Sequence, residues 1–314
     1  MEKNAKIYVA GHTGFVGSRI VERLKEEGYQ NLALRTHEEL DLTDAAATYR
    51  FFEEEKPEYV FVAAAKVGGV YINSVEPADF GRINVRIAVN IIDAAYRSGV
   101  KKLLYMGSSC IYPKFAEQPI KETSLLTGEL EKTNEAYALA KIFGVKLCEF
   151  YNIQYGTDFI SCMPGNAYGP GDHFGKESSH VVSAFIRKFY EAKQNGDDEV
   201  VMWGTGTPIR EFIYIDDVAS AAVFLMNHYS GNETVNVGTG KEVTIAELAD
   251  IVAKIVGYQG KIVHDLTKPD GTPRKLVDSS KIFSLGWKPE MDFEEGMKRT
   301  YEDFLVNKDK YLAE

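Results

Sequence analysis

Three glycines spaced three residues apart follow the first apolar run of the chain, and this feature constrains the fold most. Residues 6–10 read as a short buried strand, Gly11, Gly14 and Gly17 come directly after it, and an amphipathic helical pattern continues to Gly28. Glycines at this spacing allow a tight turn, a close approach of the backbone to a pyrophosphate, and close packing of helix on strand. The helix N-terminus adds free N–H groups and partial positive charge. The sequence therefore predicts a dinucleotide-binding unit at the start of the chain.

Strand and helix patterns then alternate. Further apolar runs lie at 31–34, 58–65, 101–106 and 158–163, and helical patterns cover 84–98 and about 134–151. This alternation predicts an α/β fold, a doubly wound, Rossmann-like parallel sheet. We expect a cofactor-binding domain over 1–165, to which the chain returns at about 212–230, and a smaller α/β substrate domain formed mainly by 166–314. Residues 41–44 are expected to form a short edge segment beside the adenine, 206–212 a loop, and Thr244 the cap of a helix.

Composition limits the partners. The 314 residues carry a net charge of −10, which argues against nucleic acid or an anionic membrane as the main partner. No apolar run is long enough to span a bilayer, and the first residues lead straight into a strand, so no signal peptide is expected. Cys110, Cys148 and Cys162 form no CxxC pair, which is typical of a reducing cytoplasm and predicts no metal site.

The end of the second strand bears on the choice of cofactor. A site that prefers NAD usually carries an acid there to hold the ribose 2′-hydroxyl, whereas a cation suits a 2′-phosphate. Arg35 occupies this place and therefore favours NADP. The alternative is a solvated arginine at a strand tip.

Two short motifs predict proton chemistry. Ser108 and Cys110 follow the run at 101–106, at the carboxyl edge of the sheet where ligands bind. Tyr137 and Lys141 lie four residues apart on one helical face, so the ammonium is expected to lower the pKa of the phenol from about 10. Taken singly, the motifs also fit a buried core cysteine and a surface Tyr-Lys pair; together with the glycine loop they indicate a proton-transfer site.

The motifs in combination resemble the extended short-chain dehydrogenase/reductase family. The resemblance covers nearly the whole chain, and its carriers are the glycine loop, Ala63-Ala-Ala-Lys-Val-Gly-Gly69, Gly107-Ser-Ser-Cys-Ile-Tyr-Pro113, Tyr137-Ala-Leu-Ala-Lys141, Tyr168-Gly-Pro170, Ser179-His180, Trp203-Gly204, Arg210-Glu-Phe212 and the segment 268–275. It implies NADPH as hydride donor and a GDP-sugar as substrate. More narrowly, it implies epimerisation of GDP-4-keto-6-deoxy-D-mannose at C3 and C5, then reduction at C4 to GDP-L-fucose.

The resemblance also implies roles for individual residues. Tyr137 protonates the 4-oxygen with help from Ser108, Lys141 holds the nicotinamide ribose, and Cys110 and His180 remove and return protons at C3 and C5. The implied nucleotide-sugar contacts are Lys188, Trp203, Arg210, Lys261, Asp270 and Lys275. The implied cofactor contacts are Gly11, His12, Thr13, Gly14, Phe15, Val16, Gly17, Arg35, Asp41, Leu42, Ala63, Ala64, Met106, Gly107, Ser108, Ser109, Tyr137, Lys141, Pro164, Gly165, Asn166, Ala167 and His180.

The family further implies a homodimer formed by the helices that begin near Asn84 and Tyr137, with Ile91, Phe143 and Leu147 as candidate outward apolar residues. The chain departs from many members at Thr13, His37 and Lys188, where arginine is common.

Three other functions fit part of this sequence pattern. A C4-reductase of another GDP-4-keto sugar, such as a 6-deoxyheptose, with or without epimerisation, stays open because no sequence feature separates the two substrates. Sugar-nucleotide dehydratases of the family carry Asp-Glu after the serine, where this chain has Cys110-Ile111. A dinucleotide-sensing regulator on the same fold has little need for the Tyr-Lys pair.

Overall fold

A computed structural model describes residues 1–176, 179–268 and 270–313. The strands are β1 Ile7–Ala10, β2 Leu32–Ala33, β3 Tyr59–Val62, β4 Lys102–Met106, β5 Phe159–Pro164, β6 Asn166–Tyr168, β7 Glu199–Trp203, β8 Ile209–Tyr214, β9 Val235–Val237, β10 Glu242–Thr244, β11 Lys261–Asp265 and β12 Arg274–Lys275. The helices are α1 Phe15–Glu26, α2 Ala45–Glu55, α3 Val70–Val75, α4 Pro77–Arg97, α5 Glu135–Tyr155, α6 Val181–Asn195, α7 Ile215–His228, α8 Ile245–Val256, α9 Ser280–Ser284, α10 Phe293–Val306 and α11 Lys308–Ala313.

The largest sheet is parallel throughout and has the order β2-β1-β3-β4-β5-β9. Strands β1, β3 and β4 are buried along their whole length, as expected for strands covered by helices on both faces. Helices α4 and α5 pack together over one face, and α1 and α7 over the other. The doubly wound α/β prediction is confirmed.

A second group of elements lies towards the C-terminus. Strand β8 pairs with β6, β10 and β12, while β7 and β11 form a separate two-stranded sheet. Helices α6, α8 and α10 share an apolar cluster with these strands. Thr244 caps α8 in a capping box with Glu247, as the sequence predicts. The chain also re-enters the large sheet here, because α7 packs on α1 and β9 pairs with β5.

Three local predictions were wrong. Residues 209–212 belong to β8 rather than a loop, because Ile209 and Arg210 have partners in β10 and β12 on either side, and Glu211 pairs with Glu242 of β10. Residues 41–44 form a turn, in which Asp44 caps α2, and α4 begins at Pro77 rather than near Asn84.

No helix in the described ranges is long and apolar enough to cross a membrane.

Candidate active site

A cleft of about 1750 Å³ opens at the carboxyl edge of the large sheet. The ends of β1, β3, β4 and β5 contribute its floor, as the rule for open α/β sheets requires. Of the predicted site residues, the cleft is lined by Gly11, Thr13, Gly14, Phe15, Val16, Gly17, Arg35, Asp41, Leu42, Ala63, Ala64, Gly107, Ser108, Ser109, Cys110, Tyr137, Pro164, Gly165, Asn166, Ala167, His180, Trp203, Arg210, Asp270 and Lys275.

Five predicted residues lie outside that lining. Lys188 lines an adjoining cavity of about 580 Å³, which also contacts Trp203, Arg210 and Asp270. His12, Met106 and Lys141 are absent from the residues that line either cavity, and Met106 and Lys141 are buried. Lys261 is an exposed residue at the start of β11 and lines neither cavity.

The glycine loop is shaped for a close-lying anionic group. Gly11 has a φ of +81°, and a Cβ there would lie 2.7 Å from the backbone of Ala64; a Cβ on Gly17 would lie 2.0 Å from the Gly11 carbonyl oxygen. Gly14 is the N-cap residue of α1 and has no side chain that could cap the helix. The buried Nδ1 of His12 has no hydrogen-bond partner in the described chain. These features fit the diphosphate of a dinucleotide at a helix N-terminus.

Arg35 is anchored at the adenine end of the cleft. Its guanidinium donates to Glu55 at 2.6 Å and to the Leu34 carbonyl oxygen at 2.8 Å. Lys6 also donates to Glu55, at 3.1 Å. Two cations therefore share one carboxylate, so the charge of Arg35, which lines the cleft, is only partly neutralised.

Tyr137 is arranged as a proton donor. Burial raises the pKa of its phenol, and the nearby Cys110 raises it further, while the Ser108 hydroxyl acts in the opposite direction. The prediction that Lys141 lowers the pKa of Tyr137 is therefore wrong. The Lys141 ammonium instead donates to the Met106 carbonyl oxygen at 2.7 Å, and burial lowers its own pKa to about 8.

Cys110 lies in a short 3-10 turn, Ser109–Ile111, directly after β4. Its backbone N–H donates to the Ser108 Oγ at 3.2 Å, and its sulfur accepts from the Lys275 Nζ at 3.4 Å. Burial alone would raise the pKa of this thiol, but Lys275, Ser108 and His180 together lower it below its ordinary value. The thiolate is the form that can act as a base.

His180 stands at the N-terminal cap of α6, and Asp172 supports it. The His180 Nδ1 lies 3.2 Å from the Asp172 Oδ1, and this contact raises the pKa of the imidazole against the opposing effect of burial. Asp172 is 3% exposed and is held in turn by the Ser183 hydroxyl and by the backbone N–H of His173, 2.9 Å away. His180 is therefore favoured in its protonated form.

The residues predicted to bind the nucleotide-sugar differ in their burial and in whether other groups of the chain already contact them. Burial lowers the pKa of both Lys188 and Arg210, and Lys188 donates to the Val201 carbonyl oxygen. Asp270 is already used, because it accepts from the backbone and hydroxyl of Thr205 at 2.9 and 2.8 Å. Trp203 is 69% exposed at the mouth of the site, with the Lys268 ammonium 5.4 Å from its ring centre.

Sequence reasoning missed two supporting carboxylates. Asp172 follows the Gly169-Pro170-Gly171 turn, and an acid inside so rigid a loop was the available signal. Glu211 is 1% exposed and accepts from the backbone of Thr239, Gly240 and Val277 at 2.7 to 3.2 Å. Glu211 stands in the Arg210-Glu-Phe212 motif of the resemblance, but no sequence pattern marks it as a supporting carboxylate, since its partners lie far along the chain.

Within the described ranges, no group of three His, Cys, Asp or Glu side chains is placed to hold a metal ion.

Comparisons with known proteins agree with this geometry. The model of the NAD dependent epimerase/dehydratase family matches residues 7–238. GDP-L-fucose synthase 1 of Arabidopsis thaliana is 58% identical over 306 residues, which cover 98% of this chain and 95% of that protein.

Two solved structures share the fold. A GDP-6-OMe-4-keto-L-xylo-heptose reductase from C. jejuni has a TM-score of 0.92 and 38% identity, over 98% of this chain and 99% of its own. A GDP-L-fucose synthetase from Naegleria fowleri, bound to NADP, has a TM-score of 0.90 and 30% identity, over 98% and 96%. The chain described here belongs to the NAD dependent epimerase/dehydratase family.

Proposed function

We propose that this enzyme converts GDP-4-keto-6-deoxy-D-mannose to GDP-L-fucose, by epimerisation at C3 and C5 followed by reduction at C4. One observation carries the proposal. A thiol with a lowered pKa and an imidazole with a raised pKa line the same cleft as a phenol whose pKa is raised. Two kinds of proton transfer are thus available around one sugar, and the relative from Arabidopsis thaliana is named for this product.

In the epimerisation, Cys110 is the base and His180 the acid. The 4-keto group makes the protons on C3 and C5 acidic, so the Cys110 thiolate removes one of them and an enolate forms. Tyr137 and Ser108 donate hydrogen bonds to the enolate oxygen, which stabilises the developing charge. The protonated His180 then returns a proton to the opposite face of the carbon, with Asp172 retaining the imidazole in position.

In the reduction, Tyr137 protonates the 4-oxygen. NADPH, when bound along the glycine loop, supplies the hydride. The Tyr137 phenol is protonated at neutral pH, so it has a proton to donate, and Ser108 orients the oxygen. Lys141 orients the nicotinamide ribose, for which its position behind Tyr137, 5.9 Å from the ring centre, is suitable.

The nucleotide-sugar is assigned to the second group of elements. Lys188, Trp203 and Arg210 line the adjoining cavity, and burial of Arg210 strengthens its pairing with a diphosphate. Asp270 supports the Trp203 turn through Thr205 rather than the nucleotide. The exposed location of Lys261 makes it a peripheral member of this set. We retain 1–165 as the cofactor-binding domain, joined by α7 and β9, and 166–314 as mainly substrate-binding.

A substrate panel tests the proposal. With NADPH present, kcat/KM for GDP-4-keto-6-deoxy-D-mannose should exceed that for the corresponding GDP-4-keto-6-deoxyheptose by at least about tenfold, because the relative that is 58% identical is named for a hexose product and one extra carbon usually changes kcat/KM by about this much. The product should be identified as GDP-L-fucose by its stereochemistry. The C. jejuni heptose reductase resembles this chain closely enough that the opposite preference would instead establish a heptose reductase.

We expect NADPH to be preferred over NADH, and Arg35→Ala to lose this preference. Charge-assisted hydrogen bonds to a phosphate contribute about 1.5–3 kcal/mol, so kcat/KM for NADPH should fall by roughly tenfold or more, while the value for NADH stays nearly unchanged. Arg50→Ala is the matched control, since this exposed arginine of α2 lies outside the cleft. Equal losses with the two cofactors would contradict the assignment of Arg35.

The protein is also proposed to form a homodimer in the cytoplasm. Leu139, Phe143 and Phe150 are exposed along one face of α5, which packs beside α4, and such a stripe suits a closed two-fold pairing. Of the residues predicted for this face, Ile91 is instead fully buried and Leu147 packs against the core. All three cysteines are free thiols, which suits a reducing compartment.

Light scattering at micromolar concentration should give the mass of a dimer. The double variant Phe143→Glu, Phe150→Glu should give a monomer, because it places like charges across the pairing face. A monomeric wild-type protein would exclude the dimer.

A further inference from the structure

Lys275 has no carboxylate partner in the described part of the chain, and its charge is directed at a sulfur. Its Nζ donates to the Cys110 Sγ at 3.4 Å. The adjacent Arg274 differs in this respect, because its guanidinium makes two hydrogen bonds to Glu242, at 2.6 and 2.7 Å. One cation of this strand is therefore neutralised, and the other remains available to a neighbouring anion.

The backbone around Lys275 is held from two sides. Strand β12 pairs in parallel with β8, where Lys275 is opposite Arg210. On the next residues, the Leu276 N–H donates to the Gln118 Oε1 at 2.9 Å, and the Val277 N–H donates to the buried Glu211 carboxylate at 3.2 Å. The Lys275 side chain reaches Cys110 from a backbone that these hydrogen bonds hold in place, so its ammonium is preorganised beside the sulfur.

The other groups around Cys110 do not replace this charge. Ser108 and Tyr137 are neutral hydroxyls, because the pKa of the Tyr137 phenol is raised, so neither brings positive charge to the sulfur. His180 contributes positive charge only when protonated, and its Nδ1 is engaged by Asp172. Among the described residues, Lys275 is thus the one basic side chain in direct hydrogen-bond contact with the sulfur.

We propose that Lys275 is a positioning residue that holds Cys110 as a thiolate in the unliganded enzyme, in addition to or instead of contacting the nucleotide. The inference rests on the proposed function for its catalytic meaning, because the thiolate is the base assigned to C3 and C5. The thiolate itself can be measured without substrate or cofactor. The step is a proton transfer: the S–H bond breaks as the thiol proton passes to water, and the Lys275 ammonium remains as the counter-ion of the thiolate.

The test is a pH titration of the thiolate by its ultraviolet absorbance, in the full-length protein. The absorbance of each protein is compared with that of the same protein carrying Cys110→Ser. The difference removes the contribution of the two buried cysteines, whose pKa values are raised by burial. The Cys110 pKa should lie below about 8.5 in the wild type and rise by roughly 1–3 units in Lys275→Met. Lys275→Arg should recover most of the shift, and Arg274→Met, whose charge is already neutralised by Glu242, should leave the pKa unchanged.

A Lys275→Met protein that is folded and has the wild-type thiol pKa would overturn the proposal, and so would a Lys275→Arg protein that titrates like Lys275→Met. Lys275→Gln replaces Lys275→Met if the latter does not fold. If Lys275 only contacted the nucleotide, Lys275→Met would instead raise KM and leave the pKa of the Cys110 thiol unchanged. If the thiol titrates as expected but no deuterium enters the sugar, the proposed function fails while the thiolate assignment stands.

Discussion

Replacing Cys110 with serine should slow deuterium uptake at C3 and C5 of the substrate by about a hundred- to ten-thousand-fold in heavy water, which is the usual contribution of a general base. The surroundings lower the pKa of the Cys110 thiol, and the Lys275 Nζ lies 3.4 Å from its sulfur. A serine hydroxyl at the same place has a far higher pKa and cannot act as the base at neutral pH. NADPH should still bind, because the glycine loop and Arg35 are untouched.

Cys148→Ser is the matched control for this variant. Cys148 is buried in the core between α5 and the sheet, where burial raises the pKa of its thiol, and it does not line the cleft. This protein should exchange deuterium at the wild-type rate if it remains folded. Wild-type incorporation in Cys110→Ser would mean that Cys110 is a packed thiol with no part in the chemistry.

Tyr137→Phe should nearly abolish hydride transfer from NADPH to C4, again by about a hundred- to ten-thousand-fold. The phenol is the group whose raised pKa keeps a proton beside the 4-oxygen, and phenylalanine has none to give. Deuterium exchange at C3 and C5 should persist at a reduced rate, because Cys110 and His180 remain and Ser108 still supports the enolate.

The control for the phenol is Tyr105→Phe. Tyr105 is a buried tyrosine of β4 whose ring lies 5.0 Å from the Lys141 ammonium, but it does not line the cleft. This variant should retain hydride transfer. A Tyr137→Phe protein that lost both reactions equally, or neither, would contradict the separation of acid and base roles.

The parts of the fold that were predictable from sequence are those governed by local periodicity. The glycine loop, the buried parallel strands and the helices at α1 and α5 follow from patterns a few residues long. Strand β8 was not predictable, because Arg210 and Glu211 look like solvated loop residues until β10 pairs with both of them and β12 pairs with Arg210 on the other side. The full length of α4 was hidden for a different reason, since the segment before Asn84 lacks a clear apolar stripe.

The candidate site divides in the same way. Cys110, Tyr137 and His180 could be predicted because they stand in short motifs, and the structure brings all three to one cleft. The contacts that set their pKa values could not, because Lys275 lies 165 residues from Cys110 in the chain. The pKa of Tyr137 illustrates the consequence: sequence spacing suggested that Lys141 lowers it, whereas burial, which no spacing reveals, raises it.

The central claim is that one cleft carries out both epimerisation and reduction, and isotope placement in the product tests it most directly. The enzyme, GDP-4-keto-6-deoxy-D-mannose and NADPH should be incubated in heavy water and the product analysed by NMR. The account predicts GDP-L-fucose with deuterium at both C3 and C5 and with protium from NADPH at C4. A product reduced at C4 that carries no deuterium at C3 and C5 would show a simple reductase and contradict it.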